Sequence, residues 1–520
     1  MAYLRLLTNA LLAGGLGAVM CGHLLLFLNP SVSLDAGTAF ALGWRLLVTV
    51  TVALGAAFYV ASLARYLFSR RSPGWLSLRL LTWMTTSVVG AGALLMWLNL
   101  SAFGAALPSD TTRRMALAVG VLATGTVVLL VIALVHYSFG RRGSRVGGML
   151  YGIAVVGVMV LPLVARGAAV PSRPEVTLLA PDLAVRDTPG GRVWLLLLDG
   201  ASLDYISPAA ASGRLPNLGR MLDSGASLTL FSIEPSHPEP VAAAVATGRY
   251  PPGNGIPSAT AYRAGGVVID LLPRYVFAYV LPRLGLVEAV PRRAGDIRAP
   301  TLWRMLGAAG LGTVIAGWPL ATPVVDATSV VLAAPAGAHD VDESQTADRT
   351  LRARFDAAIA GRTPLVLALR YGILSDPGRD LLSQRDATTG RSLLDRQYEF
   401  LDAQVGDILG RLAETDLLLV MSGFRLESAS PVERLRHRLL DDAGLAAEAS
   451  RSDGFLLAYG RLVAPGRKPV GAIVDILPTG LYFLGLPVAR DIDGYPRTDL
   501  FVSSFTNERP VAYVPSYEAP

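Results

Sequence analysis

Residues 193–226 read VWLLLLDGASLDYISPAAASGRLPNLGRMLDSGA. Val193–Leu198 is an unbroken apolar run, short for a helix and lacking the alternation of a half-exposed strand. It reads as a strand buried on both faces. Asp199-Gly200 ends it, and Leu215–Ser224 reads as a helix. A strand enclosed on both faces needs layers packed above and below it. The same punctuation recurs downstream. Gly312–Ala316, Pro364–Leu369, Asp416–Met421 and Phe455–Tyr459 read as strands, and Leu302–Ala309, Leu393–Glu414 and Pro431–Ala449 as helices. The alternation predicts an α/β doubly wound, mostly parallel sheet over residues 192–516. Functional groups in such sheets gather at the carboxyl ends of the strands, where Asp199 stands. An Asp-Gly pair after a strand is also an ordinary turn, so position alone leaves turn and site both open.

Upstream the chain changes character. Of 520 residues 52% are hydrophobic and 17% charged, and the apolar residues concentrate before residue 167. Met1–Arg173 holds thirteen Arg, two Asp and neither Lys nor Glu, a charge of +11, which leaves −5 for the rest. The basic balance therefore belongs to membrane loops and does not point to nucleic acid. Five apolar runs, Leu6–Leu28, Ala39–Ala64, Leu80–Leu100, Met115–His136 and Val146–Val164, each approach the ~20 residues needed to cross a bilayer. The first lacks a cleavage region with small residues and reads as a retained helix. Arg65, Arg70, Arg71 and Arg79 fill one loop, and Arg141, Arg142 and Arg145 another. The positive-inside rule puts both in the cytoplasm, with the N-terminus inside and the rest of the chain outside after five crossings. His23, Arg45 and His136 lie near run ends and read as snorkelling or capping groups. Gly14, Gly15, Gly17, Gly90 and Gly92 read as sites of close helix packing. Residues 1–166 thus form a transmembrane helical domain, and 167–191, rich in Pro, Ala and Gly, a linker. The single cysteine, Cys21, excludes a disulfide framework.

Three further segments join the opening one. Glu234–Ile256 reads EPSHPEPVAAAVATGRYPPGNGI, the C-terminal part contains GAIVDILPTGLYFLGLPVARDIDGYP, and Leu302-Trp303 and Gly317-Trp318-Pro319 lie between. Together they resemble the alkaline-phosphatase superfamily, in particular its type I phosphodiesterase/nucleotide pyrophosphatase branch. That branch opens with strand-Asp-Gly and Leu-Pro-Asn-Leu, continues through Ala-Thr-Gly, and closes with Asp-x-x-Pro-Thr-x-Leu-x-x-x-Gly-Leu-Pro and Asp-x-Asp-Gly. The resemblance implies an alkaline-phosphatase-like fold over about 192–516. It also implies two divalent metals, usually zinc, flanking a Thr or Ser nucleophile.

Carried over position by position, the implied site is mostly replaced. The first metal ligand is present as Asp199. The nucleophile, ten residues before Gly248, falls on Pro238; Ser236 is near but offset by two. The next Asp and His fall on Leu374 and Gly378, with Asp376 close by. The Ser-Asp-His-Gly motif is met by Ser422-Gly423-Phe424-Arg425, as a replacement or as a deletion, and either way the Asp-His pair is gone. The last His falls on Ser450. None of the five histidines, His23, His136, His237, His339 and His437, meets a ligand position. Asp199 alone cannot hold two metals.

Two functions stay open. One is a pseudoenzyme: a membrane-anchored binding or scaffold module in the cell envelope, without a cofactor, whose partner is an envelope protein, lipid or glycan. The other is an active phosphodiesterase or phosphotransferase on an envelope lipid or glycan, using zinc or another divalent metal. Its rebuilt site would draw on Ser236, His237, Glu239, Asp199, Asp376 and Glu427. Val267–Val290, apolar and aromatic with Arg274 and Arg283, reads as a cap helix broken at Pro282 or as an interfacial segment at the bilayer.

Overall fold

The computed structural model describes the chain except residues 34, 70–73, 139–144, 171–190, 235, 265, 275–280, 283–284, 322–323, 326–327, 335–340, 375–391, 427–449, 452 and 519–520. The backbone alone is described at 36, 38–42, 69, 136–138, 145, 324–325, 341, 426, 450–451 and 453. The chain divides into two compact units. One comprises Met1–Ser172 with Thr260–Pro291, the other Arg173–Ala259 with Arg292–Pro520.

The first unit holds α1 (Ala2–Leu28), α2 (Ala36–Ser69), α3 (Leu78–Phe103), α4 (Ser109–Ser138) and α5 (Arg145–Arg166). All five are long and apolar enough to cross a membrane. In α1, 61% of the apolar window is buried, against 11–33% in the other four, so α1 is the spine of the bundle. Glycine permits its close contacts, because a Cβ on Gly14 would lie 2.6 Å from the Thr51 carbonyl oxygen and one on Gly17 2.3 Å from Leu54. Each end of α1 carries a buried asparagine. Asn9 Nδ2 donates to the carbonyls of Gly74 (3.2 Å) and Trp75 (3.1 Å), and its Oδ1 accepts the Ser77 amide (3.0 Å), which fixes the loop between α2 and α3. Asn29, just past the last turn, does the same for a distant segment. Its Oδ1 accepts the amides of Asp270 (2.7 Å) and Leu271 (3.0 Å), and its Nδ2 donates to the Leu271 carbonyl (2.8 Å). Arg166 closes the same end of α1, donating from Nε to Leu26 O (3.0 Å) and from Nη2 to Val32 O (2.6 Å). A cation among the last carbonyls of a helix also complements its dipole.

Two expectations change here. His23 is not a snorkelling or capping group: it is 2% exposed inside the bundle. Residues 260–291 do not form a cap helix in their described part, but a three-stranded antiparallel sheet. Its strands are β3 (Thr260–Ala264), β4 (Val267–Ile269) and β5 (Glu288–Pro291), with β3 in the middle. This excursion packs on the helices. Ala264, Ile269, Leu281 and Val287 bury against Leu25, Asn99 exchanges two hydrogen bonds with the Arg274 backbone, and Arg45 donates to Leu286 O (2.7 Å).

The second unit is built on a ten-stranded sheet. Its members are β1 (Val193–Leu198), β2 (Ala226–Phe231), β6 (Thr313–Ala316), β7 (Val324–Val325), β8 (Val330–Leu332), β9 (Val366–Tyr371) and β10 (Leu417–Ser422). A small hairpin of β11 (Arg425–Leu426) and β12 (Ser450–Arg451) intervenes, and β13 (Asp453–Tyr459), β14 (Gly466–Arg467) and β15 (Gly471–Ala472) complete the sheet. The order is β14-β2-β13-β10-β1-β9-β6-β8-β7, with β15 also beside β2. All pairs are parallel except those that β13 makes with β10 and β2, and the pair β7–β8. β1 is central and wholly buried, and its alternate residues feed two cores. Val193, Leu195 and Leu197 join one core, with Val241 and Val245 of the helix Pro238–Thr247 and with Leu477 and Leu481 of the helix Ile476–Phe483. Trp194, Leu196 and Leu198 join the other, against the helices Leu203–Ala211, Pro216–Ser224, Val341–Ile359 and Leu393–Leu409. The mostly parallel doubly wound sheet is therefore as expected. Pro431–Ala449 and most of the linker lie outside the described residues.

Just before β10, Asp416 is a buried anchor for β1. Its carboxylate accepts hydrogen bonds from the Arg192 amide (2.9 Å) and guanidinium, from Trp194 Nε1 (3.2 Å) and from the Ala413 amide (3.2 Å). Burial by itself would raise its pKa, but these donors outweigh it and hold the group below the ordinary carboxylate range. A depressed carboxylate stabilises the fold above its unfolded pKa of about 3.9 and loses that stabilisation as pH falls through its folded value. Asp416→Asn should therefore cost about 1–3 kcal/mol at neutral pH and shrink the loss of stability seen below about pH 4 in acid titrations followed by melting.

Candidate functional site

Asp199 follows β1 directly, at the carboxyl end of the sheet, and is fully buried. Next to β1 runs β9, in register Leu197↔Arg370 and Leu198↔Tyr371. That register brings a cation to the carboxylate, with Arg370 Nε donating to Asp199 Oδ2 at 2.6 Å. The Asp199 amide donates to Tyr371 O (3.2 Å). The pair is almost dry, the side chains being 0% exposed for Asp199 and 11% for Arg370. A buried carboxylate needs a counter-charge, and here a guanidinium supplies it.

The neighbouring positions are filled by packing. After β9, Tyr371, Ile373 and Leu374 turn into the apolar core, the Ile373 amide donating to Asp348 (3.2 Å) and the Tyr371 hydroxyl to Gln404 (3.0 Å). After β10, Ser422 Oγ donates to Phe424 O (2.7 Å) and Phe424 is buried in the core that holds Val241. A Cβ on Gly423 would fall 2.2 Å from Val241 Cγ1, so no carboxylate could stand there without displacing that valine. Asp376, Gly378 and Glu427 lie outside the described residues, as do His339, His437 and the side chains of His136 and Ser450.

The segment expected to carry the nucleophile leads into the helix Pro238–Thr247. Ser236 is 4% exposed and its Oγ donates to Ile233 O (2.8 Å), a turn bond. His237 is the N-cap residue and its side chain makes no capping bond. Pro238 and Pro240 remove two of the first three N–H groups of this helix, and Glu239 places a negative charge at its start. A helix N-terminus binds phosphate through those N–H groups, so this one has lost most of that capacity.

The segments that read most like the family prove to be structural. Gly248 ends the helix in the left-handed region (φ 64°), and its carbonyl accepts the amides of Asp493 and Gly494. Asp493 takes the Tyr250 amide (2.8 Å), and buried Arg249 pairs with Asp491 (2.5 Å) and Glu518 (2.7 Å). The Asp475 carboxylate accepts the amides of Ala472 and Tyr495, both at 2.9 Å, and Thr479 Oγ1 accepts the Arg497 amide (2.9 Å). The Ala-Thr-Gly and Asp-x-Asp-Gly motifs therefore lock onto each other, whether or not the site is active.

A two-metal centre does not fit these residues. Asp199 is committed to Arg370, and Pro238, Leu374, Gly423 and Phe424 offer no ligand or nucleophile. Among the described residues no three His, Cys, Asp or Glu side chains converge. Sequence reasoning missed Arg370. The available signal was a charged residue at the end of an apolar run, one strand away from a buried aspartate.

Residues 193–423 match the family model for type I phosphodiesterase / nucleotide pyrophosphatase. No curated protein matches the chain. Among solved structures it is similar to murine ectonucleotide pyrophosphatase / phosphodiesterase 5, inactive and in complex with AMP (12% identity, 60% of this chain and 100% of that one, TM-score 0.41). It is also similar to phosphonoacetate hydrolase from Sinorhizobium meliloti 1021 in complex with phosphonoformate (18% identity, 52% and 66%, TM-score 0.34). A third is a mutant of the alkaline phosphatase PafA (11% identity, 61% and 100%, TM-score 0.41).

Proposed function

We propose that the alkaline-phosphatase-like domain of the phosphodiesterase family carried by this chain is a non-catalytic binding or scaffold module, held at the cell envelope by five helices. The observation that carries this reading is the buried ion pair between Asp199 and Arg370. The remaining ligand position is neutralised by the protein's own cation, and the positions around it support packing. Fold does not fix function, and here the fold segments persist while the chemical groups do not. The loop charges support a cytoplasmic N-terminus with the α/β domain on the other side of the membrane. The bilayer is then one partner, and an envelope protein, lipid or glycan the other. Nucleic acid is not a partner, since the positive charge belongs to the membrane half.

The test is metal content of the purified full chain in detergent after exposure to zinc and manganese, with turnover of a chromogenic phosphodiester measured beside it. No stoichiometric metal and no metal-dependent turnover are expected. Two bound equivalents, with turnover abolished by Asp199→Asn or Ser236→Ala, would overturn this reading and establish an active phosphodiesterase or phosphotransferase with a rebuilt site.

A further inference from the structure

The two ends of the helical unit use their arginines differently. Four helix arginines, Arg45, Arg113, Arg114 and Arg166, belong to the end where α1 stops. Arg45 donates to Leu286 O, Arg114 pairs with Asp110 (2.6 Å), Arg166 lies among the α1 carbonyls, and Arg113 alone is left over. Asp35 and Asp110, the only acids of residues 1–173, also belong to that end. The end where α1 starts takes no acid from this stretch. It carries Arg5 on α1, Arg65 on α2 and Arg79 on α3, with Tyr3, Tyr66 and Trp75 among them. Among the described residues no hydrogen bond or ion pair engages any of these six side chains.

Arg5 is the centre of the set. Its guanidinium carbon stands 5.7 Å from the centre of the Trp75 ring. Its Nε–H is buried without an acceptor, whereas its terminal nitrogens are not buried. Trp75 is held beside it because Asn9, one turn further along α1, bonds the Gly74 and Trp75 carbonyls and the Ser77 amide. Tyr3 meets Tyr66 edge-on, with ring centres 5.9 Å apart. A guanidinium, an indole N–H and two phenol hydroxyls are therefore available as donors, with no carboxylate to receive them. A buried polar atom without a partner demands an explanation, and a set of donors without an acceptor fits an anion.

We infer that this end of the bundle holds the headgroup phosphate of an anionic phospholipid, with the Arg5 fork as its first donor and the Trp75 Nε1–H as its second. All five helices are long enough to span a bilayer, so their ends meet a headgroup layer whose phosphates are the nearest anions. A guanidinium binds phosphate through two parallel N–H groups, and an indole, apolar in body and polar at one edge, suits the same depth. A zwitterionic headgroup would bring its own cation against Arg5, Arg65 and Arg79, whereas an anionic one adds no opposing charge.

The experiment uses the full chain in phosphatidylcholine nanodiscs doped with a spin-labelled lipid, either phosphatidylglycerol or phosphatidylcholine. A fluorophore is attached at Leu76→Cys, exposed next to Trp75, in a Cys21→Ser background. A control fluorophore at Ser109→Cys, exposed at the start of α4, reports on the other end. Spin-labelled phosphatidylglycerol should quench the label at 76 more strongly than spin-labelled phosphatidylcholine, with no such preference at 109. Arg5→Gln should lower the preference about fivefold, the equivalent of about 1 kcal/mol for one basic residue near an anionic surface. Arg5→Lys keeps the charge and loses the fork, so it should fall between wild type and Arg5→Gln. Trp75→Phe keeps a ring and loses the N–H, and it should lower the preference too. These two conservative variants carry the test should Arg5→Gln not fold. Equal quenching by the two lipids at 76 overturns the inference. A preference that both Arg5→Lys and Trp75→Phe leave untouched overturns it as well, since the lipid would then answer to overall charge and not to this site.

Discussion

Arg370→Met should destabilise the α/β unit by about 3–5 kcal/mol, the cost of leaving one charge of a buried pair without its partner. Asp199 is 0% exposed, so loss of the guanidinium leaves its carboxylate in a dry place where keeping the charge is costly and taking up a proton is favoured. Arg370→Lys should recover part of the loss, because an ammonium keeps the charge but not the planar fork. Removing both charges, as in Asp199→Leu with Arg370→Met, should restore most of the stability, because replacing a buried pair with apolar groups is often neutral or favourable. Melting of the full chain in detergent measures all three. In wild-type protein, chelator and added zinc should leave the midpoint unchanged. A single-variant loss below about 1 kcal/mol would mean that the carboxylate is solvated or otherwise neutralised, and the ion pair would then no longer support the non-catalytic reading proposed above.

The elements legible in the sequence were those whose pattern has one physical reading. Val193–Leu198 is apolar at every position because both faces of β1 are covered, and its bounds were found as they stand. The five spans were legible because hydrocarbon thickness sets their length. β2 was missed, although it sits inside the sheet, because Ala226–Phe231 mixes Ser and Thr with its apolar residues and half of it is partly exposed. The helix Val341–Ile359 was missed because it is mostly polar, with only a narrow stripe facing the core. The site showed the same division. That Pro238 replaces a hydroxyl is visible in one letter, whereas the partner of Asp199 lies 171 residues away and depends on the register of β1 with β9. Val267–Val290 departs from the cap-helix expectation in its described residues for a similar reason. Its apolar residues suggested a helix, whereas the described ones lie in or beside short strands and Ile269, Leu281 and Val287 bury against Leu25 at the end of α1. Phe277 and Tyr279 lie outside the described residues.

Asn29→Ala should release the excursion at 260–291 from the helices without unfolding them. One side chain satisfies three backbone groups, the amides of Asp270 and Leu271 and the Leu271 carbonyl. Alanine leaves all three without partners in a buried place, at about 1–3 kcal/mol for each group and less than the sum if water enters. A loss of about 3 kcal/mol would accelerate amide exchange at Asp270 and Leu271 roughly a hundredfold. Exchange in α1 itself, at Leu24 to Leu28, should stay slow, because Arg166 still holds the Leu26 carbonyl and the helix keeps its own bonds. Asn99→Ala should do the same at Arg274, where two bonds are lost instead of three, and the smaller effect provides an internal scale. Asn29→Asp keeps the acceptor for both amides but loses the donor to Leu271, so its effect should fall between wild type and alanine. Unchanged exchange in Asn29→Ala would assign the attachment to the apolar contacts of Leu25, Ile269 and Leu281 alone. Faster exchange confined to 270–274 would instead make α1 a receptor for a segment more than two hundred residues away, and the membrane half more than an anchor.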